Sequence, residues 1–328
     1  MEIRFKSSEC NGGELVKKFN KDFETSFLSE QQYSEFKDGI TGSVKEIHIN
    51  NAYVLFQDYN NKNSESHTLQ VAQNHPVFLL QFVIDGEVNF SLNEKTSSTY
   101  SLNKNMYNLF YIPASKYLYK HLNLKKKVLN IYFTESFLIS KMGACFIIKS
   151  KKYQQAKKET QIYSFFDIGF MINGQLRTIV NEFLNCSFDG ITKQSYLESK
   201  LTELILIALA SEGSEAATNN ILRKTDRDNL IRIENYIQSH LKEDLNIEKL
   251  SVLAGLNTSK FKSVFKQVYG MPVFKYITSL RIEKAIQLIS KHDYTIAQAS
   301  YEVGYKNPQH FTVAFKKKLG YLPSKLIK

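Results

Sequence analysis

Cysteine is scarce in this chain, and the three present, Cys10, Cys145 and Cys186, are too far apart for a zinc spacing and odd in number for a disulfide framework. A reducing compartment suits them. Long apolar runs are missing too: none reaches the roughly 18 residues that a membrane span needs, and the N-terminal MEIRFKSSEC lacks the apolar centre of a secretory signal. The sequence therefore predicts a cytoplasmic chain with no membrane partner. Catalytic patterns are equally thin. His48, His67, His75 and His121 are scattered with no His-x-His pair, so a metal-dependent enzyme has no ligand set, and each is expected to be a surface or packing residue. Ser115 of PASK lacks the Ser-x-x-Lys spacing, and neither a glycine-rich phosphate loop nor paired carboxylates stand out. No catalytic residue, cofactor or metal is expected.

What is present is a charge asymmetry. The formal charge of +11 is carried almost entirely by residues 222–328, where 19 Lys and Arg stand against 9 Asp and Glu, while residues 1–221 hold 24 against 23. A compact basic region attached to a neutral one points to a polyanion, and to nucleic acid over a membrane surface, where a basic amphipathic helix or a lysine run is the usual device. The length of 328 residues suggests two domains.

Strand-like alternation recurs through the first part of the chain: SVKEIHINNAYVLFQDY (43–59), PVFLLQFVID (76–85), EVNFSL (87–92), MYNLFYIP (106–113) and VLNIYFT (128–134). The Asp85-Gly86-Glu87 step predicts a hairpin turn, and the succession of short strands predicts a sandwich or barrel. Helical spacing begins near 134, with Thr134 and Asn173 as candidate caps. A helix over 192–213 carries Leu197, Leu201, Leu204, Ile205, Ala208 and Leu209 on one broad face, which predicts either a dimer seam or a buried stripe. SEGSEAATNN has no periodicity and reads as a linker. The organisation expected is a sensing and dimerisation domain over 1–210, a linker over 211–221 and a DNA-binding domain over 222–328. That last fragment is expected to fold alone.

The basic third contains a repeated unit. A first amphipathic helix over 227–241 turns Leu230, Ile233, Ile237 and Leu241 inward. LAGLNTSKFKSVFKQVYG (253–270) then returns as VGYKNPQHFTVAFKKKLG (303–320): Gly255 and Gly304 are 49 residues apart, while Phe261 and Phe311, Phe265 and Phe315, and Gly270 and Gly320 are each 50 apart. Glycine permits the left-handed turn, two phenylalanines four apart anchor the second helix on the first, and the opposite face is left exposed. That face carries Ser259, Lys260, Lys262, Ser263 and Lys266 in the first copy, and Gln309, His310, Thr312, Lys316 and Lys317 in the second. Such side chains reach base edges and phosphates. The helix between the copies, 273–290, spans ~27 Å at the α-helical rise, which can set two reading heads on successive major grooves about 34 Å apart with some DNA bending.

With LSVLAGLNTSKFKSVFKQVYGMPVFKYITSLRIEKAIQLI and IAQASYEVGYKNPQHFTVAFKKKLGYLPSKL in view, residues 229–328 resemble the DNA-binding domain of AraC/XylS-family transcription regulators. The resemblance implies an α+β chain: an N-terminal β-rich, cupin-like barrel with helices, followed by an all-α tandem helix-turn-helix domain. It also implies that Ser259, Lys262 and Ser263, and Asn307, Pro308, Gln309, Thr312 and Val313, face the groove. Val313 departs from the long polar or basic side chain common there. The partners implied are double-stranded promoter or operator DNA, RNA polymerase, a second copy of the chain as a homodimer, and a small-molecule effector, aromatic or siderophore-like by analogy with relatives. Activation is commoner than repression among such regulators. Phe78, Phe82, Phe90, Tyr107, Phe110 and Tyr111 are compatible with an effector pocket or with plain core. A cupin-type metal enzyme and a helical protein-interaction module are the alternatives.

Overall fold

Side chains that alternate along a strand need a neighbour on each face, and the first half of the chain supplies them by pairing every strand antiparallel. The computed structural model describes residues 1–7, 14–34, 40–62, 66–91, 100–148, 150–167, 169–219 and 224–327. Its strands are β1 (Glu2–Ser7), β2 (Glu14–Lys18), β3 (Ser29–Tyr33), β4 (Ile40–Ile49), β5 (Ala52–Asn61) and β6 (Ser66–Gln73). They continue with β7 (Val77–Ser91), β8 (Tyr100–Leu102), β9 (Met106–Ile112), β10 (Lys116–Phe133), β11 (Tyr163–Ser164) and β12 (Phe170–Met171). The helices are α1 (Glu135–Met142), α2 (Cys145–Ile148), α3 (Lys151–Lys158), α4 (Gly174–Leu184), α5 (Gly190–Asn219) and α6 (Lys224–Ser239). Then follow α7 (Ile247–Leu253), α8 (Thr258–Tyr269), α9 (Val273–Lys291), α10 (Ile296–Glu302) and α11 (Pro308–Leu319). No helix among the described residues is long and apolar enough to cross a membrane.

The chain divides into two compact units, Met1–Ile172 with Ser187–Leu209, and Asn173–Cys186 with Ala210–Lys328. The first is a β-rich half-barrel, as expected. Its sheet runs β11-β9-β7-β10-β5-β4-β3, and the long β10 makes it coil: Lys116–Leu122 pair with β6, whereas Lys125–Phe133 pair with β5. Two turns differ from the sequence expectation. The stretch 43–59 is split by a tight hairpin at Asn50-Asn51, where Asn50 takes a positive φ of 50° that asparagine tolerates. Conversely, Asp85-Gly86-Glu87 makes no hairpin. The strand β7 passes straight through it, because β10 pairs with both halves, Phe78–Asp85 and Glu87–Ser91. Gly86 (φ +94°) is a bend, and a Cβ there would sit 2.6 Å from the Lys125 carbonyl oxygen.

One face of this sheet buries Val77, Leu79, Val83, Phe90, Phe110, Tyr117, Val128 and Tyr132 in a common core. On the other, Phe78 meets Phe133, Tyr111 and Tyr153 of α3, and Phe82 stacks on Tyr107. The six aromatics considered for a pocket are thus divided between two faces and line no single space. Helix α5 is fixed by Tyr107, whose hydroxyl donates to the Ala208 carbonyl at 3.0 Å. Leu197, Leu201, Leu204, Ile205, Ala208 and Leu209 are all buried within the chain. A side chain already covered cannot face a second copy, so the stripe is core and not a seam. The expected linker is helical over 211–219, where Glu and Ala favour helix and Gly213 interrupts it at a cost of only ~1 kcal/mol; residues 220–223 lie outside the described residues.

The second unit includes α4 as well as the C-terminal helices. Asn173 caps α4 by accepting from the Leu176 amide at 2.9 Å. Four residues after Asn173, Arg177 is buried and its Nη2 lies 3.0 Å from Glu234 Oε1 of α6. Glu234 also accepts from Gln238 at 3.1 Å, from Tyr269 at 3.3 Å and from the Tyr276 hydroxyl. Burial opposes the Arg177 charge, but Tyr276, Glu234 and Glu283 outweigh it and raise its pKa above the ordinary arginine value. The 222–328 stretch therefore lacks one partner of the buried Glu234 carboxylate.

Arg177→Ala leaves the Glu234 carboxylate buried without its cation and should destabilise the second unit by roughly 3–5 kcal/mol. Urea unfolding of the full chain, followed by hydrogen exchange in α6 and α9, measures this; a loss under 1 kcal/mol would show that the pair does not hold α4 in place. Leu201→Glu should unfold the first unit, seen by circular dichroism, and not merely change the sedimentation of a folded protein.

Candidate nucleic-acid interface

Each copy of the repeat is built from the same local devices. In the first, Asn246 caps α7 by accepting from the Lys249 amide and Asn257 caps α8 by accepting from the Lys260 amide, both at 2.8 Å. In the second, Thr295 and Gln298 form a reciprocal capping box on α10, and Asn307 accepts from the Gln309 amide at 2.7 Å to start α11, with Pro308 as its first residue. Gly255 (φ +65°) and Gly304 (φ +89°) supply the left-handed turns, and Gly270 and Gly320 end α8 and α11 in the same conformation. The phenylalanine pairs are fully buried, and in both copies their rings lie 5.6 Å apart. Beside the first pair, Tyr269 is buried and Val268 half-buried.

Packing of those faces settles where the expected site residues go. On α8, Ser259, Lys260, Lys262, Ser263 and Lys266 are all exposed. On α11, Gln309, His310, Val313, Lys316 and Lys317 are exposed, as is the preceding Asn307, while Pro308 and Thr312 are half-buried. The Thr312 hydroxyl donates to the Pro308 carbonyl at 2.9 Å. Val313, 67% exposed, is an apolar side chain with nothing from the second unit covering it. Neither α8 nor α11 contains an acidic residue. Three acids of the unit pair with lysines outside these two helices: Glu302 with Lys242 at 2.9 Å, Glu243 with Lys249 at 3.1 Å and Asp244 with Lys306 at 3.7 Å. Cationic charge on the two exposed faces is thus not cancelled by their own helices.

The two copies are held in register by a residue that the repeat pattern did not single out. Arg281, near the middle of α9, donates from Nε to the Leu241 carbonyl at 3.0 Å and from Nη2 to the Glu243 carbonyl at 2.9 Å, and its guanidinium lies 5.7 Å from the Tyr305 ring centre. It ties the end of α6 to the turn of the second copy. That turn packs closely: a Cβ on Gly304 would fall 2.5 Å from the Leu241 carbonyl oxygen. Arg281 is one of several charged residues of α9, so the sequence alone does not mark it.

Comparison with known proteins agrees with this geometry. A helix-turn-helix domain model matches residues 250–328, and a model of the regulatory protein PchR N-terminal domain matches residues 54–222, just over half of the chain. The chain belongs to the AraC/XylS family. Among relatives, the probable transcriptional regulator LumQ of Photobacterium leiognathi is 30% identical over 103 residues, covering 31% of this chain and 42% of that protein. The MmsAB operon regulatory protein of Pseudomonas aeruginosa is 31% identical over 130 residues, covering 40% of this chain and 38% of its own length. The chain spans less than half the length of either curated relative. The C-terminal domain of AraT, a response regulator from Geobacillus stearothermophilus, is 28% identical, with a TM-score of 0.29 over 32% of this chain and 84% of that one.

Elsewhere in this AraC/XylS-family chain, His48, His75 and Ser115 meet ordinary hydrogen-bond partners. His48 Nε2 is 2.9 Å from the Phe23 carbonyl, His75 Nδ1 is 2.8 Å from Asn74 Oδ1, and no group of metal-ligating side chains gathers among the described residues. Ser115 donates to the Pro113 carbonyl at 3.3 Å in a loop, and Cys10 lies outside the described residues.

Gly255→Ala should cost about 1–2 kcal/mol, the strain of a left-handed alanine, since nothing lies within 4 Å of its Cβ. Gly304→Ala should cost at least ~1–3 kcal/mol more, because the backbone of residues 241 and 242 must move. Equal costs in urea unfolding would mean that the close approach at the second turn contributes nothing.

Proposed function

We propose that this protein is an effector-responsive transcription activator that binds promoter DNA through α8 and α11, each entering one of two successive major grooves. The observation that carries this is the duplicated unit: a capped second helix, a left-handed glycine turn and a buried phenylalanine pair recur in both copies and leave two polar, basic, acid-free helix faces on one chain. A helical interaction module has no reason to repeat both the anchor and the cationic face. Ser259, Lys262 and Ser263 on α8, and Asn307, Gln309 and Thr312 on α11, are assigned to base edges or to the groove wall. Pro308 begins α11 at the groove, Val313 meets a thymine methyl, and Lys260, Lys266, His310, Lys316 and Lys317 hold phosphates. The β-rich unit receives the effector. The protein acts in the cytoplasm as a homodimer, through a surface other than the Leu197 to Leu209 stripe, and touches RNA polymerase when it activates. It is a regulator and not an enzyme.

Affinity for promoter fragments from its own genome should fall steeply with salt, as release of condensed counterions requires. Lys316→Ala should weaken binding to all sequences and reduce the salt slope by about one. Gln309→Ala and Lys262→Ala should instead relax base preference, by ~1–3 kcal/mol per good contact. Mapping of bound sites across the genome, followed by titrations on matched and mismatched fragments, decides between these outcomes. Salt-independent binding would remove the proposal.

A further inference from the structure

Helix α4 touches both copies of the repeat, although it lies outside the repeat in sequence. At its start it meets the first copy. A Cβ on Gly174 would fall 2.2 Å from Met271 Cε, and Arg177 reaches Glu234 at 3.0 Å with its guanidinium 5.5 Å from the Tyr276 ring centre. At its end it meets the second. Glu182 lies close enough to Lys318, in the last turn of α11, for its charge to favour the ammonium, and Cys186 stands beside Tyr321. The segment Asn173–Cys186 accordingly belongs to the same compact unit as both copies.

Lys318 differs from the two lysines before it. Lys316 and Lys317 are exposed, whereas the Lys318 ammonium is buried and has no hydrogen-bond partner among the described residues, so it is not offered to a phosphate. Burial lowers its pKa, and Glu283 of α9 and Glu182 of α4 oppose that shift. Glu283 Oε1 and Asn181 Nδ2 are likewise buried without partners. A buried ion cluster gains little stability over an apolar contact, and its best-attested use is to fix one register of packing.

Helix α9 shows what that register controls. At about 100° per residue, Arg281 and Glu283 fall on roughly opposite faces of this helix, while Tyr276 and Glu283 share one. On the first face Arg281 ties the end of α6 to the second turn. On the other, Arg177 at Tyr276 and Lys318 near Glu283 place α4 alongside. A tie on one face leaves a hinge about α9; a tie on each face removes it.

We propose that α4 is a brace that fixes the separation and angle of α8 and α11, with Glu182 as the positioning residue that holds the second copy through Lys318, and that the protein thereby selects DNA by the spacing of its two groove sites. This deepens the two-groove reading and rests on it. One base pair inserted between the sites shifts the second by about 3.4 Å and turns it by about 34°, which a rigid pair of heads cannot follow.

The test uses the full-length protein and a bound promoter fragment from its own genome, with one base pair inserted or removed between the two sites, and a fragment that keeps one site only. The unaltered chain should bind the altered spacings about tenfold or more weakly. Glu182→Gln and Lys318→Met should each reduce that penalty to about threefold or less while single-site binding stays unchanged, and the double variant should do no more than either alone. Independently of DNA, spin labels at Ser263→Cys and Val313→Cys, with the three native cysteines changed to serine, should report one narrow distance that broadens in either variant. A spacing penalty that survives in both variants, single-site binding that falls with it, a distance that stays narrow, or unfolding of both variants by circular dichroism each overturns the proposal. If no promoter fragment is bound while the labels report the broadening, the DNA-reading proposal falls and the brace stands; if DNA binding persists with the spacing penalty intact in both variants, only the brace falls.

Discussion

The helical unit depends on one buried carboxylate. Glu234 is 1% exposed, and a carboxylate taken out of water must be met by cations and hydrogen-bond donors or the fold cannot keep it there. The donors come from four helices: Arg177 from α4, Gln238 from α6 itself, Tyr269 from α8 and Tyr276 from α9. Satisfying this group fixes the angle at which α8 leaves the first turn, since Tyr269 stands at its last position and Phe265 packs on Tyr269 at 4.3 Å. Replacement of a buried ionic network by well-packed apolar side chains of similar volume is often neutral or stabilising. What the polar version adds is a single allowed arrangement, because hydrogen bonds are directional where apolar contacts are not.

A consequence is that the chain passes between its two units more than once. It leaves the sheet at Ile172, contributes α4 to the helical unit, returns at Ser187 for the buried part of α5, and leaves again after Leu209. Only Ile172 and Asn173 separate β12 from α4, and both are spoken for: the Ile172 amide donates to the Asn105 carbonyl at 2.9 Å, and the Asn173 side chain caps α4. The family match over 54–222 spans all of these crossings.

Much of the second unit was legible because its signals are local. Glycine at a left-handed turn, phenylalanines four apart and a proline at the start of α11 each act within a few residues, so the boundaries of α8, α9, α10 and α11 follow from the sequence nearly residue by residue. The sheet was legible only where its strands are apolar. β1, β2, β3, β6 and the lysine-rich first half of β10 carry polar or mixed side chains and were missed, since their strand state is set by pairing partners far away in sequence. Asp85-Gly86-Glu87 misled for the same reason: a turn dipeptide and a bend in a long strand use the same glycine, and β10 decides between them. The exposed α8 and α11 residues could be foreseen from the buried ones opposite. Arg177, Arg281 and Lys318 could not, because each takes its meaning from groups that only the folded chain brings near.

The repeat also shows why two copies are not two equals. Positions 50 apart place Lys262 against Thr312 and Ser263 against Val313. Lys262 is exposed, and its ammonium can donate in three directions. Thr312 is half-buried, and its one donor is already committed to the Pro308 carbonyl. Ser263 can both donate and accept; Val313 can do neither and offers only an apolar surface. At these two positions directional chemistry is richer on α8, although α11 still exposes Gln309 and carries Lys316, Lys317 and Lys318 in its last turn. The second turn is also the more tightly built, with Gly304 pressed against the Leu241 carbonyl and Arg281, whereas nothing approaches Gly255. The copy with fewer groups able to discriminate is the one held more rigidly to the rest of the unit. Under the proposed binding mode, a closely packed second copy lowers the entropy cost of bringing the first helix to its bases.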